Sequence, residues 1–125
     1  MTGRSWTLTD DAGRPLTINR VADLHRQQWA THTRATRERW AWLALAAHIP
    51  HLERVRIVAT PLHKDGRSPQ DALACAPEVK AAVDGLRDAR VLDDDNPRFV
   101  TSVKCTAPDI CGTDGLRLLI EEVLS

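Results

Sequence analysis

Residues 79–97, VKAAVDGLRDARVLDDDNP, combine a helical pattern, a short turn and three consecutive aspartates before an Asn-Pro break. The helix is predicted to begin just upstream, where Pro77 suits a first helical position and Glu78 suits the first turn. The apolar residues recur at three- and four-residue spacing: Val79, Val83 and Leu86. This periodicity predicts an amphipathic helix over residues 77–89 that leads directly into an acidic turn.

The acidic turn consists of Asp93, Asp94 and Asp95. Adjacent carboxylates repel one another, so their clustering requires either solvent or a nearby cation. Mg2+ prefers oxygen ligands and usually takes only one or two protein carboxylates, so two side chains of this turn are sufficient to hold it. The alternative is an Asp-rich surface turn in which Asp95 or Asn96 caps the backbone locally.

The rest of the chain alternates strand-like and helix-like segments. Residues 5–10 predict a first strand, and residues 19–48 contain neither Gly nor Pro and predict one long helix with Asn19 as its N-cap. Pro61 limits the extent of the second strand, and residues 107–115 are predicted to form a loop. The remaining predicted strands are 54–62, 99–106 and 116–123. The order β-α-β-α-β-β predicts an α/β (α+β) fold, in which two helices cover one small mixed sheet.

Length and composition restrict the class of protein. The chain has 125 residues, enough for a single domain over residues 1–125 that buries roughly two-thirds of its unfolded surface. Its apolar content of 42% and charged content of 27% are typical of a soluble globular protein. No apolar segment is long enough to span a membrane, and the N-terminus has no apolar signal core, which predicts a cytoplasmic protein with no membrane partner.

The three cysteines do not form a disulfide framework by number or spacing, which predicts reduced thiols. Cys105 and Cys111 could contribute to a zinc site together with a histidine, but their spacing fits no common zinc pattern. Cys105 alternates with Phe99, Thr101 and Val103, which favours a core thiol on the buried face of a strand.

Charge is distributed unevenly although the formal net charge is zero. Residues 1–64 hold ten Lys and Arg against five Asp and Glu, whereas residues 65–125 hold seven against twelve. All five histidines lie in the first part. The asymmetry favours anion binding by the first part and cation binding by the second, with an uneven solvated surface as the alternative.

The first helix carries the candidate nucleic-acid contacts. His25, His32 and Arg39 recur every seven residues and share one stripe. A neighbouring polar row is formed by Arg26, Thr33 and Arg37. The predicted phosphate-binding residues are Arg26, His32, Arg37 and Arg39, and the alternative is a solvated helix face. The tryptophans of this helix are interpreted as core or interface residues: Trp29, Trp40 and Trp42.

The segment from Lys80 to Asp95 resembles the core of the RusA family of Holliday-junction resolvases. That family carries Asp-x-Asp-Asn-x-x-Lys at the start of a helix, then an Asp-Ala-Leu or Asp-Gly-Leu signature, a turn and an Asp-Asp pair. Here Lys80 matches the lysine, residues 84–86 the signature, residues 91–92 the turn and residues 94–95 the acidic pair. The spacing between Lys80 and Asp95 agrees without a gap, and the remaining elements follow the same order more weakly.

The resemblance implies Mg2+-dependent cleavage of branched DNA by a homodimer, with Mn2+ as a substitute ion. It implies that Asp94 and Asp95 are metal ligands and that Lys80 stabilises charge at the scissile phosphate. The alternative for Lys80 is an ordinary surface pair with Asp84 one helical turn away.

The sequence departs from the family pattern at the two upstream aspartates, which fall at Ala74 and Ala76. The nearest upstream acid is Asp71, which becomes the candidate third metal ligand if the segment before the helix folds back. Two hypotheses therefore remain. The chain is either an active structure-selective endonuclease acting in recombination or repair, or a catalytically inactive RusA-fold module that binds DNA or protein.

Overall fold

The computed structural model describes residues 2–11, 13, 25–66 and 74–124. Within these ranges the elements are, in order, β1 (Thr2–Asp10), α1 (Arg26–Ala46), β2 (Val55–His63), α2 (Ala76–Asp88), β3 (Val100–Cys105), β4 (Asp109–Ile110) and β5 (Gly115–Val123). The predicted mixed α+β fold is confirmed, with the short strand β4 added inside the predicted loop 107–115. None of the helices in these ranges has the length and apolar character that crossing a bilayer requires.

The strands form one mixed sheet in the order β1-β5-β2-β3, and β4 pairs with β2 beyond the end of β3. The pairs of β5 with β1 and β2 are antiparallel, whereas β2 pairs in parallel with β3 and β4. A parallel pair needs a crossover connection, which here contains α2. The acidic turn follows α2 and precedes β3, so it lies at the end of the sheet where the parallel strands β2 and β3 begin.

Pro61 lies within β2, which extends two residues past it to His63 and agrees with the predicted strand 54–62 to within one residue at each end. The carbonyl of Ala59 accepts a hydrogen bond from Thr106 at 2.9 Å, and that of His63 accepts one from Cys111 at 3.1 Å. Backbone groups of alternate residues face the same neighbouring strand, so the Pro61 nitrogen faces the gap between β3 and β4. No ladder hydrogen bond is needed there, and the proline is tolerated.

The first helix begins at Arg26 with His25 as its N-cap, so it starts later than predicted within the described residues. The predicted cap Asn19 lies outside them. Helix α1 packs closely on α2 because Gly85 has no side chain: an added Cβ would lie 2.6 Å from the Arg37 carbonyl oxygen. Trp40 is fully buried beside this contact, which confirms its interpretation as a core residue.

Helix α2 ends in a Schellman motif that directs the chain into the acidic turn. Arg90 has a φ of 62°, its N–H bonds the Arg87 carbonyl at 2.9 Å, and the N–H of Val91 bonds the Leu86 carbonyl at 3.0 Å. Val91 and Leu92 are then buried in the core. The turn is thus anchored immediately before its aspartates.

The predicted buried face of β3 is wrong. Thr101 is exposed, Val103 is 45% exposed and Cys105 is half-buried. The reason is that β3 lies at the sheet edge, so its faces are only partly covered.

Candidate functional site

The three aspartates of the acidic turn do not share one partner. Asp93 extends away from the others, and its Oδ1 lies 2.9 Å from Nε2 of His51. The backbone N–H of Asp95 donates to Asp94 Oδ1 at 2.7 Å, and the Asn96 side chain contacts the other Asp94 oxygen at 3.4 Å. Asp94 therefore caps the turn locally, and Asn96 does so as well, because its Oδ1 accepts a hydrogen bond from the Arg98 backbone N–H at 2.9 Å. Of the two residues that the sequence suggested for this role, Asp95 or Asn96, the structure confirms Asn96.

Asp94 and Asp95 both face Arg87 of α2. The Arg87 Nη1 atom lies 3.5 Å from Asp94 Oδ1 and 3.9 Å from Asp95 Oδ1. The two predicted metal ligands thus point toward one cationic group, although Asp93 does not. In this structure the cation that the two carboxylates share is therefore the Arg87 guanidinium.

Lys80 contacts Asp95 directly, across fifteen residues of sequence. Its ammonium group also lies 3.1 Å from Asp84 Oδ1, so the ordinary surface pair exists as well. The hydrogen bond from Lys80 is the main reason that the pKa of Asp95 is lowered to about 2, and the same contact raises the pKa of Lys80. Asp95 is a carboxylate at neutral pH with or without this shift, as a Mg2+ ligand must be.

The Lys80–Asp95 pair stands at the side of a groove of about 240 Å³ between α2 and β3. Apolar residues form much of its lining: Ala76, Val79, Val83, Val100, Val103 and Cys105. Ala76 is one of the two positions where the family pattern has an aspartate. This position and Asp95 therefore line the same groove.

Asp71, the predicted third ligand, lies outside the described residues. Cys75, directly before α2, is fully buried, and burial is the main cause that raises the pKa of its thiol to about 11. Mg2+ prefers oxygen ligands, so this thiol is not expected to bind it. In the part of the chain that the structure describes, no group of three or more His, Cys, Asp or Glu side chains could hold a metal ion, so a metal site there would have fewer protein ligands of these types.

Glu78 belongs to a buried polar cluster that sequence reasoning missed. Its side chain is 5% exposed, and its carboxylate lies 2.9 Å from His32 Nε2 and 3.9 Å from Arg39. Thr36 donates to it at 3.4 Å, and Arg39 also contacts Asp10 at 3.1 Å. The cluster joins α2 to α1 and β1. The only sequence signal was the shared helical face of residues 32, 36 and 39.

The predicted nucleic-acid residues of α1 therefore have three different environments. His32 and Arg39 face the Glu78 carboxylate and serve the helix packing. Arg37 pairs with Asp88, with one hydrogen bond of 2.8 Å. Arg26 is exposed on the outer side, and its side chain contacts no ion-pair partner among the described residues.

The chain matches no protein-family model, and a search of curated proteins finds no match either.

Proposed function

We propose that the chain is a Mg2+-dependent endodeoxyribonuclease that cleaves branched DNA in recombination or repair, in the manner of the RusA family it resembles. The single observation that supports this most is the Lys80–Asp95 contact. The two residues at the family spacing meet at the edge of a groove, and Asp95 is held in its ionised form. An exposed ion pair contributes only about 0–1 kcal/mol to stability, so folding alone gives little reason for it.

The residues present fit a magnesium ion. Asp94 and Asp95 would hold it through carboxylate oxygens, with water completing its coordination. Bound Mg2+ supplies activation of water and neutralisation of charge at the phosphate. Lys80, whose side chain is 63% exposed, would donate to a non-bridging phosphate oxygen and stabilise the charge that develops there. Arg87 would orient the two carboxylates from the helix side.

The test is cleavage of a synthetic four-way junction by the wild-type chain. We expect symmetric nicks near the branch point in Mg2+ or Mn2+, and none in EDTA. A linear duplex with the sequence of two joined arms is the matched control and stays uncut. Binding of the junction without cleavage in either metal would reject the enzyme.

A second candidate function is a RusA-like module that has lost cleavage and acts by binding DNA or protein. The observation that favours it is Ala76, which lines the groove where the family pattern has a carboxylate. In this second function, Lys80 and Arg87 serve only to compensate the negative charges of Asp95 and Asp94.

The proposal includes a cytoplasmic homodimer, because a junction presents two strands for paired cleavage. Trp42 and Leu45 support a contact surface for the second copy, since they are 66% and 60% exposed at the apolar end of α1. We expect sedimentation velocity at micromolar concentration to give twice the mass of the 13.9 kDa chain. Substituting both residues by Ser should shift the distribution to monomer, whereas substituting the exposed Ile110 should not. A clean monomer in the wild type contradicts paired cleavage.

A further inference from the structure

We propose that a groove along the outer face of α1 binds an unpaired DNA strand by stacking a base on Trp29 between arginine–phosphate contacts. This groove has a volume of about 510 Å³ and is distinct from the groove between α2 and β3. We call it the α1 groove, and the lining residues that matter are Arg26, Trp29, Arg34, Arg37, Glu38 and Asp88. The inference rests on the proposed function in one respect, because branched DNA, whose base pairs can open at the branch point, would be the source of the unpaired strand.

Trp29 gives the α1 groove an aromatic surface. Its side chain is 43% exposed, whereas Trp40 on the same helix is fully buried. Residues 26, 29, 30, 33, 34 and 37 follow one another at the spacing of a single helical face. The indole is therefore presented along the helix together with the arginines, and it is not part of the core.

The charge of the α1 groove suits a phosphate backbone. Arg37 is neutralised by Asp88, to which it donates at 2.8 Å. The side chains of Arg26 and Arg34 contact no ion-pair partner among the described residues, and they lie on either side of Trp29 along the helix. Glu38 is the remaining acid of the lining, so the groove carries three arginines against two carboxylates.

This combination selects an unpaired strand over a duplex. The bases of a duplex are stacked on one another and cannot place a face on an indole, whereas unpaired bases stack on aromatic side chains without regard to sequence. Arginine guanidinium groups pair with phosphates through parallel hydrogen bonds. Trp29 lies between two arginines that contact no ion-pair partner among the described residues, so the groove can bind a base and the phosphates on either side of it. An acidic peptide fits less well, because its carboxylates offer no ring that could stack on the indole.

The experiment measures fluorescence anisotropy of a labelled twelve-nucleotide oligo-dT strand in EDTA, so that cleavage plays no part. We expect Trp29→Ala to weaken binding about 10-fold or more. Trp29→Phe keeps a ring and should stay within about threefold of wild type, while Trp29→Leu keeps apolar area without a ring and should lose as much as alanine. Ile110→Ala, at an apolar residue outside the groove that is 62% exposed, is the control and should bind as wild type.

The arginines are tested through the salt dependence of the same binding. The double variant Arg26→Gln with Arg34→Gln should lower the slope of log affinity against log salt by about 1.4, since each phosphate contact on a single strand contributes about 0.7. Arg56→Gln removes an exposed arginine from β2 and should leave the slope unchanged. If Trp29→Ala does not fold, as judged by circular dichroism, the leucine and double-arginine variants decide.

Three results would overturn the inference: no binding of oligo-dT by the wild type, wild-type affinity in Trp29→Leu, or tighter binding of an acidic peptide than of the strand. These results are separable from failure of the proposed function. A chain that binds oligo-dT through Trp29 but never cuts a junction loses the enzyme and keeps this site. A chain that cuts junctions with no contribution from Trp29 loses this site alone.

Discussion

Asp95→Asn is expected to abolish Mg2+-dependent cleavage of a four-way junction, lowering the single-turnover rate by at least about 100-fold. Losing a residue that only orients a metal ligand already costs about 10–100-fold, and Asp95 is proposed as a ligand itself. Junction binding in EDTA should remain or tighten, because the substitution removes one negative charge beside the phosphate. Cleavage is followed on denaturing gels, and binding by anisotropy.

The matched control for this prediction is Asp93→Asn, which removes the same charge two residues earlier. Asp93 pairs with His51, and it is not among the carboxylates that Lys80 and Arg87 contact. The cleavage rate of the Asp93→Asn variant should therefore stay within about threefold of wild type. Thermal unfolding should change little in either variant, since exposed pairs contribute about 0–1 kcal/mol. A rate within tenfold of wild type for Asp95→Asn rejects the ligand assignment, and equal losses in both variants indicate a general charge effect.

Local pattern was sufficient to predict the elements that position the candidate site. The apolar stripe of residues 79, 83 and 86 predicted α2 to within one residue at each end, and the strands followed from their own composition. The contact between Lys80 and Asp95 was not predicted, although the family resemblance assigned both residues to one site. It forms because one helix and one Schellman motif connect the two residues, so little long-range packing is involved.

The partners of the charged side chains could not be predicted in this way. Glu78 looked like an ordinary first-turn acid, but it contacts His32 from across 46 residues of sequence. Such a contact depends on how α1 crosses α2, which the close approach at Gly85 determines. The same packing turned His32 and Arg39 toward the protein and left Arg26, Trp29 and Arg34 on the outside. Of the predicted nucleic-acid residues, Arg26 therefore lies on the exposed outer face of α1, whereas His32 and Arg39 face the Glu78 carboxylate.

The second large effect is expected at Asp71, and it distinguishes the enzyme from the inactive module. If Asp71 replaces the carboxylates that the family has at residues 74 and 76, Asp71→Asn should reduce junction cleavage as severely as Asp95→Asn, by at least about 100-fold. An ion held by Asp94 and Asp95 alone would lose both affinity and placement at the phosphate. The measurement is single-turnover cleavage across a Mg2+ titration. Asp65→Asn is the control, because it removes the same charge six residues earlier in the chain.

The result for the wild type decides how this experiment is interpreted. If the wild type cuts and Asp71→Asn does not, Asp71 acts as the third ligand. If neither cuts but both bind the junction, cleavage has been lost, and Ala76→Asp becomes the informative variant because position 76 already lines the groove beside Asp95. A carboxylate there should raise Mg2+ affinity and restore measurable cleavage, whereas the same change at the exposed Ala107 should not. If the cleavage rate does not depend on Asp71, then Asp71 does not replace the family carboxylates at residues 74 and 76. Asp94 and Asp95 would then be sufficient to hold the ion, since Mg2+ usually takes only one or two carboxylates from a protein.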